Sequence, residues 1–221
     1  MTRSLVQYVS FFLLNAIIHT NAYANSTTVR VVDENGQPIS GVVVSTPSNK
    51  DMVPPDEPAI MDQINRRFVP YVLTINKGQY VNFPNSDDVR HHVYSFSDAK
   101  QFEIGLYKGV NAAPVLFEKS GVVDIGCNIH DSMVGFIYVG DNEIITKTDE
   151  NGVARLAVMG SHFHLWHPRL SADKGFRQKN TFTPNPTNNQ QTVVLTLLPE
   201  QEEDTDINTF GGKKRFKVSE Q

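Results

Sequence analysis

Cys127, His130 and Met133 stand at C-x-x-H-x-x-M spacing in the run Cys127-Asn128-Ile129-His130-Asp131-Ser132-Met133. A thiol, an imidazole and a thioether are therefore close in sequence, between the apolar stretches Val122 to Ile125 and Gly135 to Val139. Cu(I) favours thiolate and thioether, Cu(II) favours imidazole, and a set of two His, one Cys and a weak axial Met suits both oxidation states with little rearrangement. Fast one-electron transfer needs that tolerance. The second imidazole has two candidates, His91 and His92, in Val81-Asn82-Phe83-Pro84-Asn85-Ser86-Asp87-Asp88-Val89-Arg90-His91-His92-Val93. On a strand they point to opposite faces, so only one of them serves a given ion. Zinc is a poorer match, because a thioether is a weak ligand for it. A Cys127-His130 nucleophile lacks any sequence signal for an orienting group or an oxyanion hole. A buried free thiol beside unrelated His and Met residues is the bland alternative.

The chain of 221 residues is 39% hydrophobic and 20% charged, enough to bury a core. Its net charge of −4 argues against nucleic acid as a partner. A single cysteine rules out an internal disulfide framework and any CxxC metal or redox pair. Residues 1–24 read as a cleavable secretory signal: Arg3, an apolar stretch around Phe11 to Ile18, then Ala22-Tyr23-Ala24 as an A-x-A site. Asn15 and His19 interrupt that stretch, leaving it short of the roughly 20 residues a membrane span needs. No later run is long enough either. Export places Cys127 where an unpaired thiol is oxidised unless it is buried or metal-bound.

The elements that must position these groups read as short strands. β-branched and aromatic runs recur at Val29 to Val32, Val42 to Ser45, Tyr71 to Ile75, Tyr80 to Phe83, His92 to Phe96, Val122 to Ile125, Gly135 to Val139, Ala154 to Val158 and Thr192 to Leu198, with Gly, Pro, Asn and Asp between them. The pattern predicts an all-β protein built of sandwiches. An internal echo, Asp33-Glu34-Asn35-Gly36 and Asp149-Glu150-Asn151-Gly152, predicts two hairpin turns in which Asn-Gly supplies positive φ. With their flanks, Val29-x-Val31-x-Asp33-x-x-Gly36-x-Pro38-x-x-Gly41-Val42-x-Val44 and Thr148-Asp149-x-x-Gly152-x-Ala154-x-Leu156, these turns resemble carboxypeptidase-regulatory-like β-sandwich domains. The resemblance implies one discontinuous sandwich over residues 25–58 and 140–198, with a second β-domain inserted at 59–139. The proline-rich stretch Pro47 to Pro58 serves as a boundary. Residues 199–221, acidic then basic, read as a disordered tail.

The inserted segment resembles the cupredoxin, or blue-copper, family. Val81-x-Phe83-x-Asn85 matches the family's V-x-F-x-N, which a ligand histidine follows six positions after the Asn, at His91; the short C-x-x-H-x-x-M stretch is similar to that of amicyanin, and the surroundings to periplasmic proteins labelled methylamine utilisation proteins. The resemblance implies a Greek-key β-sandwich and one type 1 copper, with His91, Cys127 and His130 in plane and Met133 axial. It also implies a periplasmic carrier rather than an enzyme, monomeric, passing electrons through the edge of His130 to a redox protein such as a dehydrogenase or a cytochrome. His92 stands where the family usually has Asn, Gly126 precedes the cysteine, and Asp131 follows His130 where a neutral residue is usual. A module that senses, stores or delivers copper while the outer sandwich docks on a larger assembly is the alternative function.

His162, His164 and His167 surround the single Trp166. They form either a second metal site, which a copper oxidase or reductase would require, or the polar face of an alternating strand with Phe163 and Leu165 inward; the second reading is preferred. Asp87-Asp88 is assigned to turn chemistry. Phe102, Leu106, Tyr107, Phe117 and Phe136 are expected in the core or in an apolar collar around the ion.

Overall fold

The computed structural model describes residues 26–109, 113–157 and 160–200. The expected signal segment, residues 1–24, and all but Pro199 and Glu200 of the expected tail lie outside the described residues. No helix occurs among the described residues. The chain begins with β1 (Ser26–Val32) and β2 (Val43–Pro47). After residues 48–58, which carry no strand, come β3 (Ala59–Ile60), β4 (Asp62–Ile64), β5 (Arg67–Val69), β6 (Val72–Asn76), β7 (Tyr80–Asn82), β8 (His91–Ser97), β9 (Lys100–Tyr107), β10 (Val115–Leu116), β11 (Gly121–Cys127) and β12 (His130–Gly140). The last strands are β13 (Glu143–Lys147), β14 (Val153–Ala157), β15 (His162–Trp166), β16 (Gln178–Thr181) and β17 (Gln190–Val194).

These strands pair in two sets. The first and last strands form a three-stranded sheet, β14-β1-β17, and a four-stranded sheet, β13-β2-β15-β16. Strands β3 to β12 form a five-stranded sheet, β6-β12-β11-β8-β9, a three-stranded sheet, β10-β7-β3, and the lone hairpin β4-β5. Period-2 alternation decides which side chains go inward. In β1, Val29 and Val31 are fully buried while Arg30 between them is exposed. In β14, Ala154 and Leu156 face the same core, and Arg155 faces solvent. A second core lies among β3 to β12 and includes Phe83, Phe117, Ile125 and Ile137 together with Cys127 and Met133.

The two sets meet through β12, which is buried on both faces. Ile137 and Val139 enter the core that holds Cys127. Phe136 and Tyr138, on the opposite face, pack with Val43 and Trp166 of the outer sheets. Trp166 lies 5.8 Å from the Phe136 ring and 5.9 Å from the Tyr138 ring, and aromatic pairs of this kind are worth about 0.5–1.5 kcal/mol beyond area burial. A buried polar knot reinforces the join. Tyr138 Oη donates to Glu143 Oε2 at 3.1 Å, and Arg177 Nη1 donates to Tyr138 Oη at 2.9 Å and to Glu143 Oε1 at 3.1 Å. Each of these groups has a hydrogen-bond partner, which offsets part of the cost of taking the pair out of water.

The two Asp-Glu-Asn-Gly turns share one construction, which differs from the expected Asn-Gly type. Only the glycines, Gly36 and Gly152, have positive φ, 79° and 71°. The aspartates close the loops instead. Asp33 Oδ1 accepts from Asn35 N and Gln37 N, and Asp149 Oδ1 accepts from Asn151 N and Val153 N.

His167 gives this fold a pH dependence. Its Nδ1 accepts the Arg169 backbone N–H at 3.2 Å, and burial, followed by the nearby Arg169 and Lys174 charges, pushes its pKa down to about 4. The unfolded chain takes up this proton near pH 6.5 and the folded one does not, so the stability contribution is complete above pH 6.5 and is lost as pH falls toward 4. Urea midpoints measured between about pH 7 and 4 should fall, and His167→Gln should make the fall shallower; an unchanged slope in the variant contradicts the assignment.

Candidate metal centre

Cys127 ends β11 and His130 begins β12, joined by Asn128 and Ile129 alone. The C-x-x-H stretch is therefore a tight hairpin in which Cys127 and His130 are cross-strand partners. His91 opens β8, the strand that pairs with β11. Three segments thus bring three donor atoms together. His91 Nδ1 lies 3.2 Å from His130 Nδ1, and Cys127 Sγ lies 3.9 Å from His91 Nδ1 and 3.7 Å from His130 Nδ1. Among the described residues this is the one group of three or more His, Cys, Asp or Glu donors with all its ligand atoms within 4.8 Å of one another.

The size of that triangle tests whether an ion fits. Bonds of about 2.0–2.1 Å to nitrogen and about 2.3 Å to sulfur, spread at 120°, give sides of about 3.6 Å between nitrogens and about 3.8 Å from nitrogen to sulfur. The observed sides fall within about 0.4 Å of those values. His91 is fully buried, Cys127 and Met133 nearly so, and His130 is half-buried, so solvent reaches the group on the His130 side only. Met133 belongs to the same apolar cluster as Cys127.

Hydrogen bonds settle which way the His91 ring presents itself. Its Nε2 donates to Asp87 Oδ2 at 2.9 Å, which leaves the Nδ1 lone pair directed at Cys127 and His130. The same carboxylate oxygen accepts the backbone N–H of Arg66 at 2.7 Å. That backbone bond first, and the His91 bond second, hold the Asp87 pKa below its usual value. Asp87 N donates to Asn85 Oδ1, and Asn85 Nδ2 donates to the carbonyls of Val89 and Tyr107, so the whole approach to His91 is braced. Turn chemistry accounts for only part of what Asp87 does, and its position four residues before a candidate ligand is the sequence signal for the rest. Burial, then His91 and Arg66, lower the His130 pKa and favour the neutral imidazole that a metal requires.

The remaining histidines are elsewhere. His92 turns to the other face of the sheet, where its Nε2 is 2.8 Å from Glu103 Oε1. His162 and His164 meet edge-on at 5.4 Å, but Arg177 occupies the neighbouring Glu143, and His167 Nδ1 is committed to Arg169. The strand face bearing the two histidines continues into Trp166 and is covered there by Phe136 and Tyr138, so it is only partly a solvent face. Of the expected collar, Phe117 is fully buried and Phe102 and Tyr107 pack against the same core, whereas Phe136 faces Trp166 and Leu106 is exposed.

Two glycines permit close packing around the hairpin. A Cβ on Gly126 would lie 3.0 Å from Tyr94 Oη, because the Tyr94 ring covers this glycine from the neighbouring strand. On the opposite face, a Cβ on Gly135 would lie 2.9 Å from Phe68 Cβ. Phe68 belongs to the β4-β5 hairpin and is buried.

No protein-family model matches the chain, and no curated protein does. Solved structures similar to part of it include a reduced Cu(I) form of an amicyanin mutant, at 21% identity and TM-score 0.35, covering 43% of this chain and 98% of that one. A purple cupredoxin from Nitrosopumilus maritimus matches at 25% identity and TM-score 0.33, covering 38% of this chain and 100% of that one. A copper-containing nitrite reductase from Thermus scotoductus matches at 23% identity and TM-score 0.36, covering 51% of this chain and 28% of that one.

The glycine contacts make a graded prediction. Gly135→Ala meets the near end of a buried ring and should cost about 1–3 kcal/mol in denaturant unfolding. Gly126→Ala meets the far end of a partly exposed tyrosine, which can swing away, and should cost less. Equal losses would show that Phe68 is as free to move as Tyr94.

Proposed function

We propose that this chain is a periplasmic electron carrier that holds one type 1 copper through His91, Cys127, His130 and Met133. The observation that carries the reading is the convergence of one sulfur and two imidazole nitrogens, 3.2 to 3.9 Å apart, in a pocket sealed on all but the His130 side. Copper bound there supplies a one-electron couple that thiolate and imidazole together serve in both oxidation states. The protein's part is positional. Asp87 fixes the His91 tautomer, the two-residue hairpin sets Cys127 against His130, and the surrounding core keeps water from the thiol. The half-buried His130 ring offers the short path to the surface through which a redox protein, a dehydrogenase or a cytochrome, would exchange electrons in a transient contact.

The sequence signals extend the proposal to organisation and location. Residues 1–24 act as the export signal, residues 59–139 form the copper domain, and residues 25–58 with 140–198 form the sandwich around it. Strand pairing supports that division, since β3 to β12 pair only among themselves.

Loading the exported form with Cu(II) should give an intense visible thiolate-to-copper band that bleaches on mild reduction and returns on oxidation. Cys127→Ser should abolish the band. Asp87→Asn, which keeps the side chain's size but weakens the hold on His91, should retain the band and lower copper affinity about 10- to 100-fold. Colourless binding of Cu(I) alone would instead favour copper storage or delivery, and no copper binding would overturn both readings.

A further inference from the structure

Behind the strand that carries His91 lies a buried polar frame outside the ligand set. Gln63 of β4 is fully buried, and its Nε2 donates to Pro84 O at 3.0 Å and to Tyr107 Oη. The Tyr107 hydroxyl donates in turn to Phe83 O at 2.5 Å. Its single proton is thereby used, so the phenol oxygen is an acceptor toward Gln63. Pro84 O can only accept, and both partners therefore call for the amide's NH2 and neither for its carbonyl. Gln63 Oε1 is buried and has no hydrogen-bond partner among the described residues. Packing alone does not account for an amide left half satisfied, because an apolar side chain of similar size would avoid that cost.

The frame grips the segment that leads to His91. Phe83 and Pro84 immediately precede Asn85, Gln63 bridges to Asn85, and Gln63 O accepts from Ser86 N at 3.1 Å. Asn85 Nδ2 donates to Tyr107 O, Asn85 Oδ1 accepts from Asp87 N, and Asp87 Oδ2 accepts from His91 Nε2. Tyr107 is also the cross-strand partner of His91. His91 is thus reached by two routes, along the chain through Asn85 and Asp87 and across the sheet from Tyr107. The Gln63 amide touches both, at Pro84 on one and at Tyr107 on the other.

We infer that Gln63 is a positioning residue for His91, holding through Pro84 and Tyr107 the arrangement that leaves His91 Nδ1 directed at Cys127 and His130. The inference rests on the metal-centre reading and adds to it a residue that touches none of the proposed ligands.

The test is Gln63→Met, which keeps the length of the side chain and removes both polar groups of the amide. In the metal-free wild type at fixed pH, the ring-nitrogen NMR shifts of His91 should show Nε2 protonated and Nδ1 bare. In the variant the two shifts should move toward each other as the tautomers mix. Copper(II) affinity should fall about tenfold, the low end of the effect of losing an outer hydrogen-bonding partner. The urea midpoint should change little, because the substitution also removes the unpartnered carbonyl. Tyr107→Phe, which breaks the frame from β9, should move the His91 shifts in the same direction. Gln79→Met, at another buried glutamine whose Oε1 accepts from Asn76 N between β6 and β7, should leave them unchanged. A lowered urea midpoint with wild-type His91 shifts and copper affinity would make Gln63 a purely structural residue and overturn the inference, as would equal His91 shifts in Gln79→Met. A wild-type protein that binds no copper would instead overturn the metal-centre reading, and the metal-free shifts would still decide whether Gln63 sets the His91 ring.

Discussion

The geometry of the candidate centre depends on His91 having nowhere else to turn. Its side chain is wholly shielded from solvent, so each ring nitrogen must find its partner within the protein. Asp87 takes one nitrogen, and the other is left to Cys127 and His130. Asp87 is in turn pinned by a backbone N–H of the β4-β5 hairpin, which Phe68 anchors against Gly135. Packing thus fixes a carboxylate, the carboxylate fixes a tautomer, and the tautomer directs a lone pair. The same constraint explains why a small hairpin outside the main sheets matters to the site: without it Asp87 loses a strong charge-assisted bond and His91 loses its reference.

Much of this was legible in the chain itself, for reasons that differ by element. The all-β class followed from short β-branched runs punctuated by turn formers, and β1 and β14 carry the alternation of a one-sided strand. Strand β12 was legible as an apolar run for the opposite reason, since it is buried on both faces and does not alternate. Strands β4, β5, β9 and β16 were not: they are short or carry many polar residues, and they form because neighbours offer them hydrogen-bond partners. At the site, the types and spacing of Cys127, His130 and Met133 announced soft-metal chemistry, but the hairpin that makes Cys127 and His130 cross-strand partners was hidden, because Asn128-Ile129 lacks the glycine that marks a two-residue hairpin. Asp87 and Arg66 were missed because their importance lies in contacts spanning 21 residues of chain.

The outer sheets do more than surround the inserted strands. They cover the face of the five-stranded sheet that a stand-alone sandwich would leave to water, burying Phe136 and Tyr138 under Trp166. They also supply Glu143 and Arg177 to the Tyr138 hydroxyl, so that burying a phenol there leaves no unmet hydrogen bond. The single tryptophan, flanked by histidines that suggested a second metal site, is better explained as the wedge of this join.

Strand β12 runs unbroken from His130 to Gly140, and Asn142, in a left-handed turn conformation, passes the chain directly into β13 of the outer sandwich. One end of this strand therefore carries an imidazole of the centre, just before an irregularity in its pairing with β11, and the other end leads into the outer sheets. The imidazole at one end and the outer sandwich at the other are thus joined by eleven residues of one strand.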